Sequence, residues 1–542
     1  MKWYFILIVC GTFFSCNRNE IDNSGKKVFR YNEASGLSTL DPAYAKDQSV
    51  IWPCLELYNG LVQLDNQLNI VPCIAQSWEI TEGGKKYLFH LRNDVYFHRN
   101  LSFSLPDSTR KVIASDFNYS LNRLNDPALT SPGAWVMKHV LQEEGGNLSG
   151  VKIIDDSTLM IELDQAFPPF LGLLTMPYCS VVPKEVIAKY GADFRSNPCG
   201  TGPFRFGFWK EGVKLILLKN ENYFEYSGAN RLPFLDAVDI TFLSDKQSAF
   251  IEFLKGRLDF LSGADPAYKD ELLSRSGELK PKYKDRFIMK TEPYLNTEYL
   301  GILMEQKANR NSVLSSKKIR QALNYGFDRR KMISYLRNNM GTPGIYGIVP
   351  PGLPSFDSSF VFYDYNPAKV KQLLNEAGFP NGKNLPAITL STTNNYQDLC
   401  EYIKSQWEEF GFKINIDINQ AAVHRKMVAE QKLEFFRASW IADYPDAENY
   451  LSLFYSPNFS PAGPNYTHYK NENFDRLFEK AAGELIDSIR YMYYKKMDTL
   501  IMEESPVIIL FYDKVLRLFD KNISGLEPNA MNLLVLKNVK KK

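Results

Sequence analysis

No single hydrophobic core can organise a chain of 542 residues. Cores stop growing at roughly 250 to 300 residues, so at least two lobes are expected. The texture of the sequence changes along its length in keeping with this. Lys27 to Arg30 reads as a short extended segment, followed by a Gly/Ser-rich turn to Leu40-Asp41-Pro42 and an apolar helix-like run through Trp52, Leu55 and Tyr58 to Gly60. Residues 60 to 170 read mostly as hairpins, with Val151–Ile154 and Thr158–Leu163 as two strands about a polar turn; Val213–Leu218 is another strand.

After about residue 285 the pattern becomes helix and strand. Asn366 before Pro367, then Val370, Leu373 and Leu374 at helical spacing and Gly378, spell an amphipathic helix with a cap, a proline start and a glycine stop. Leu399, Ile403, Trp407 and Phe410 line one face of the next helix, Gly411 ends it, and Lys413 to Ile418 alternates strictly as a strand. Two further helices are expected at about Asn473–Ala482 and Ser488–Glu504, with a strand at Val507–Tyr512. This half is an α/β lobe.

The N-terminus carries an address. Lys2 precedes the apolar run Trp3 to Phe14, then Ser15-Cys16 and a polar stretch. The run is short of the roughly 20 residues that span a bilayer and fits a secretory signal. Its ending resembles a bacterial lipobox, in which Cys16 becomes the lipidated first residue, although Phe13 and Phe14 replace the usual aliphatic and small residues. The remaining cysteines, Cys54, Cys73, Cys179, Cys199 and Cys400, are odd in number and contain no CxxC pair. A disulfide framework is therefore not expected; Cys179 and Cys199 could pair, but buried free thiols are the preferred reading.

Composition excludes several function classes. Lys and Arg total 64 against 62 acidic residues, without a sustained basic stripe, so nucleic acid is not expected as a partner. Five histidines form no metal-ligand spacing, and neither a GxSxG elbow nor a P-loop or dinucleotide motif occurs, Gly200-Thr201-Gly202 continuing into Pro203-Phe204-Arg205. No catalytic residue, metal or cofactor is assigned.

The stretch Arg437 to Tyr450 is the candidate binding segment. Arg437, Ser439 and Ile441 share one strand face, Ala438, Trp440 and Ala442 the other, and the chain breaks at Asp443-Tyr444-Pro445-Asp446. An arginine, an aromatic and an aspartate at one junction could hold both ends of a zwitterion; a plain strand end is the alternative. Asp443 with Asp446 could also form a carboxylate pair for glycoside hydrolysis, but an Asp-rich turn has the same appearance.

In collinear order over about 500 residues, the chain resembles the family 5 solute-binding proteins of bacterial ABC importers, the group of the oligopeptide and dipeptide binders. The resemblance rests on Leu40-Asp41-Pro42, Tyr58 to Leu61, Ile74 to Trp78, Tyr87 to Arg92, Val95 to His98, Ala114 to Phe117 with Arg123, Asp155 to Leu159, Gly200 to Phe204, Lys219 to Tyr223, Lys255 to Asp259, Ile319 to Arg329, Leu373 to Phe379 and Trp440 to Asp446. It departs after His98, where Arg99-Asn100 leads into an insert from Leu101 to Val112. A histidine that some oligopeptide binders use on the ligand carboxylate is not evident around Asn394 to Leu399.

What the resemblance implies is an α/β, two-lobed periplasmic-binding-protein-like fold of type II, with an extra β-rich subdomain and a discontinuous first lobe. Lobe I would take residues 27–58, 184–284 and 508–542, the subdomain 59–183, and lobe II 285–507, after a signal peptide at 1–16. It further implies a monomer, lipid-anchored to a membrane on the extracytoplasmic side of the cell envelope, that passes short peptides to ABC permease subunits. By that analogy Asp443 would meet the peptide ammonium, Ser439 to Ile441 its backbone, Arg437 its carboxylate, and Trp440 would supply an apolar wall. The same family also binds oligosaccharides, opines and nickel chelates, which stay open as alternatives; a secreted hydrolase is a third reading.

Overall fold

The helix read from Asn366 forms as its punctuation demands: Pro367–Glu376 is capped by the Asn366 carboxamide, which accepts from the Lys369 amide at 3.0 Å. In the computed structural model, which describes residues 25–104, 106–305 and 312–542, this helix belongs to a mixed α/β architecture. Cys16 and the signal segment lie outside the described residues. Among those described, no helix is long and apolar enough to cross a membrane, and Cys54, Cys73, Cys179, Cys199 and Cys400 are free, buried thiols.

One eleven-stranded sheet runs through the molecule. Its order is Ile414–Asn419, Ile388–Thr393, Phe435–Ile441, Phe287–Ile302, Val507–Asp520, Phe260–Ser262, Val28–Asn32, Ala237–Thr241, Lys214–Lys219 and Phe204–Lys210, with Thr342–Pro343 branching from Val507–Asp520. The two long central strands decide the layout. Their paired middle belongs to neither end: Asn296–Ile302 pairs with Phe435–Ile441 on one side, whereas Phe519, at the far end of the partner strand, pairs with Phe260 on the other. Between them the register slips, from Pro293 opposite Lys514 to Thr297 opposite Tyr512. Such a slip bends and twists a pair of strands, and here it falls where the chain passes between two separate cores.

One core gathers buried residues from Phe29 to Phe260 together with Phe519 to Val539. It includes the four-stranded antiparallel sheet of Ala75–Thr81, Lys86–Leu91, Thr158–Glu162 and Val151–Asp155, so this subdomain has no core of its own. The helix Ala114–Asn125 covers that sheet. Mostly hairpins were expected over 60 to 170, and this helix was not read from the sequence; it is fixed by Asp116, whose carboxylate accepts from the Ile113 amide at 3.0 Å. A smaller core gathers Ala249 to Phe287 with Met340, Leu516 and Leu518, and two further cores gather residues between Leu295 and Tyr512. There Leu399, Ile403, Trp407 and Phe410 are buried on one face of Gln397–Glu408, as their spacing requires.

The sequence Gly200-Thr201-Gly202 is a packing element. Cβ atoms at positions 200 and 202 would lie 2.1 Å from the Leu57 carbonyl oxygen and 2.4 Å from that of Glu56, so only glycine lets this loop close against the end of the helix Gln48–Leu57.

Three carboxyls, Glu56 and Glu448 buried and Asp498 half-buried, give the fold a pH dependence. Burial pushes Glu56 up to about 8, and Asp498 and Glu448 each up to about 7. One oxygen of Glu56 accepts from the Leu536 amide at 2.8 Å and the other has no partner, as suits a protonated acid. Folded values above the unfolded one mean that the native state holds extra protons; their contribution is full below about 4.5 and is lost as pH rises through 7 and 8. His98, lowered by burial to about 4, acts oppositely, costing stability only as pH falls below its ordinary 6.5. The melting temperature is therefore expected to decline from pH 6.5 towards about 9; a melting temperature that rises over that interval would contradict this assignment.

Candidate functional site

A cavity of about 420 Å³ opens between the two halves. One wall comes from the turn and first helix, through Ala45, Lys46, Gln48, Ile51, Trp52 and Leu55; the opposite wall is Ile441, Ala442 and Asp443. Trp135 and Tyr178 of the subdomain, Tyr294 from a crossing strand, and the C-terminal Met531 to Leu533 complete it. The volume lies within the range of small-ligand sites, and so does the character, a mainly apolar and aromatic lining with few polar groups.

Asp443 follows directly from the end of the strand Phe435–Ile441. Asn449 organises this junction: its carboxamide oxygen accepts from the Asp443 amide at 3.1 Å and from the Trp440 indole at 2.8 Å, while its nitrogen donates to the Asp443 carboxylate at 3.4 Å. The carboxylate has no ion-pair partner among the described residues. Although open to the cavity, it is surrounded by enough protein that desolvation raises its pKa, opposed only by the Asn449 bond. An acid in that position stabilises a ligand cation that replaces its lost water.

The neighbouring residues take different places. Ile441 is exposed in the cavity wall. Trp440 points to the other strand face and packs against the second-lobe core. Ser439 does not line the cavity, and neither does Arg437, whose guanidinium pairs with the buried Glu298 carboxylate beneath the Tyr396 ring, 3.2 Å from its centroid. Tyr396 and Asn296 also donate to Glu298, at 3.4 and 3.2 Å. Thus a tyrosine, from the segment where a histidine was sought, covers the arginine. Asp446 turns away too, accepting from the Glu448 amide at 2.8 Å and facing Arg490 at 3.8 Å, so it forms no carboxylate pair with Asp443.

Tyr444, next to Asp443, crosses the gap. It is 4% exposed and belongs to the first-lobe core, near Trp135 and Gly172. Its hydroxyl donates to Glu448. Sequence reasoning missed this contact, as it missed Lys46, Trp135, Tyr178 and Tyr294; the one available signal was Lys46 lying just after Leu40-Asp41-Pro42.

Among the described residues no group of three or more His, Cys, Asp or Glu could hold a metal ion.

The chain is 29% identical to heme-binding protein A of Haemophilus influenzae, over 93% of this chain and 91% of that protein. It is 26% identical to the glutathione-binding protein GsiB of Salmonella typhimurium, over 91% and 90%. Among solved structures, the periplasmic binding protein DppA from Helicobacter pylori, in complex with the peptide STSA, superposes with a TM-score of 0.75 at 22% identity, covering 95% of this chain and 98% of that one. HbpA2 from Haemophilus parasuis gives 0.80, also at 22%, covering 95% and 100%. The model of bacterial extracellular solute-binding proteins, family 5, matches residues 69–461. On this match the chain belongs to extracellular solute-binding protein family 5, whose members are the binding components of ABC importers.

Proposed function

We propose that this protein captures short peptides in the interlobe cavity and delivers them, as a monomer, to an ABC permease, tethered outside the cytoplasmic membrane by lipid on Cys16. Lobe I is taken as 27–58, 184–284 and 508–542, the subdomain as 59–183, and lobe II as 285–507. The observation that carries the reading is Asp443: a carboxylate open to the cavity, without an ion-pair partner among the described residues and crowded by enough protein to raise its pKa, just past the end of a strand that forms the cavity wall. A peptide ammonium supplies the missing charge.

The strand supports the rest. His424 bonds the Arg437 carbonyl oxygen at 2.8 Å, so the main chain of Arg437 faces away from the neighbouring strand Phe287–Ile302. By alternation the amides and carbonyls of Ser439 and Ile441 face away too, and the strand Ile388–Thr393 meets this edge only at Phe436. A peptide could add there as a further strand, its side chains unread by the main-chain bonds. Arg437 contributes in this reading as a scaffold of the wall, its charge satisfied by Glu298.

Mass spectrometry of ligand released from protein purified without refolding tests the proposal. Short peptides are expected in the released fraction; a glycan, an opine or no organic ligand would sink the peptide reading. The same preparation from a Cys16→Ser strain should appear in the soluble fraction, and retention at the membrane would count against the lipid.

A further inference from the structure

We infer that Lys46 receives the carboxylate of the bound peptide, so that the two ligand charges are held from opposite lobes and the preferred substrates are short, free-acid peptides. This rests on the peptide reading above and adds to it the second charge and the length class.

Among the residues lining the cavity, Lys46 and Asp443 are the charged ones. A zwitterion placed there meets one cation and one anion. Lys46 has no ion pair among the described residues, while its backbone is firmly seated. Its amide donates to the Tyr44 carbonyl at 2.8 Å at the end of the turn Pro42–Tyr44. That turn is tied down by Asp41, whose carboxylate accepts from the Ala43 amide at 3.1 Å and takes both ends of the Arg123 guanidinium at 3.0 and 2.5 Å. A long side chain on a fixed base can reach a carboxylate without ordering the loop that carries it. Asp47, next in sequence, is exposed and lies outside the cavity lining.

The other cations near the site do not compete for this role. Arg437 is covered by Tyr396 and neutralised by Glu298. Arg517 is buried behind the cavity, 5.0 Å from the Trp52 ring centroid, and donates to the Ser262 hydroxyl at 3.0 Å and the Asn532 carbonyl at 3.1 Å rather than to a carboxylate. Its uncompensated charge adds positive potential to the Lys46 side. Within the lining itself the first lobe thus presents the cation and the second the anion, while Asp47, on the Lys46 side, acts on the cavity-lining Tyr178 from outside the lining.

Placement on separate lobes has a further effect. A ligand touching Lys46 and Asp443 at once joins the lobes, so its differential affinity for the closed form comes from its own two charges. A peptide whose termini cannot both lie within about 420 Å³ satisfies only one of them.

Calorimetry with Ala-Phe and Ala-Ala-Phe, each as free acid and as C-terminal amide, tests this. The natural protein should prefer the acids by about 10-fold or more, the scale of one charge-assisted hydrogen bond. Lys46→Met should remove that preference by weakening the acids alone, with an unchanged melting temperature, and Lys46→Arg should restore it. Equal binding of acid and amide by the natural protein, or a preference that survives in Lys46→Met, overturns the assignment while leaving the peptide reading standing. Failure of the natural protein to bind any of the four probes overturns both.

Discussion

Asp443→Asn is expected to weaken binding of short peptides by between roughly 30-fold and several thousandfold. Removing one member of a desolvated charge pair costs about 2 to 5 kcal/mol, at 1.4 kcal/mol per tenfold. The substitution keeps the shape of the side chain and can still meet Asn449, so the junction that aligns Trp440 and the Asp443 amide stays in place. Stability should not fall. The pKa of Asp443 is raised in the folded state, so its ionisation opposes folding at neutral pH; exchanging it for a neutral amide leaves the melting temperature unchanged or raises it. Calorimetry and thermal melting on the same sample read the two effects separately. Unaltered peptide affinity would remove Asp443 from the site, and lost affinity with a lowered melting temperature would make its role structural.

The reverse division is expected at Glu298. Glu298→Gln leaves the Arg437 guanidinium buried without a countercharge, and breaking such a pair from one side costs about 3 to 5 kcal/mol. The double variant Glu298→Gln with Arg437→Met removes the stranded charge and should recover much of that loss, since the pair itself is worth little beyond its own desolvation. Urea titration of the four proteins closes the cycle. Arg437→Met should meanwhile retain any preference for free-acid peptides, because the guanidinium does not line the cavity. If Arg437→Met abolishes that preference without loss of stability, Arg437 binds the ligand and its pairing with Glu298 gives way when the ligand arrives.

How the sequence relates to the structure differs between local and distant contacts. The helices Pro367–Glu376 and Gln397–Glu408 carry their own start, stop and buried stripe, so each was legible within a dozen residues. The strand from Val507 was legible only to Tyr512; its continuation to Asp520 depends on a partner more than two hundred residues away, and Asp513 and Lys514 interrupt the apolar run where it passes between cores. That Asp443 sits at a strand-to-turn junction could be read from its own segment, and the structure places that junction in the cavity wall. The wall facing it could not, since Lys46, Trp135, Tyr178 and Tyr294 come together only through the sheet and the subdomain. For Arg437 the strand face was read correctly, but its partner Glu298 lies on another strand, and no local pattern announces a cross-strand pair.

Tyr444 has a kinetic consequence. Opening of the cleft would withdraw this ring from the first-lobe core and expose apolar surface that is now buried. That desolvation does not depend on which peptide lies in the cavity, so it adds a common barrier to every dissociation event. Ligands of quite different affinity would then share one slow step in dissociation.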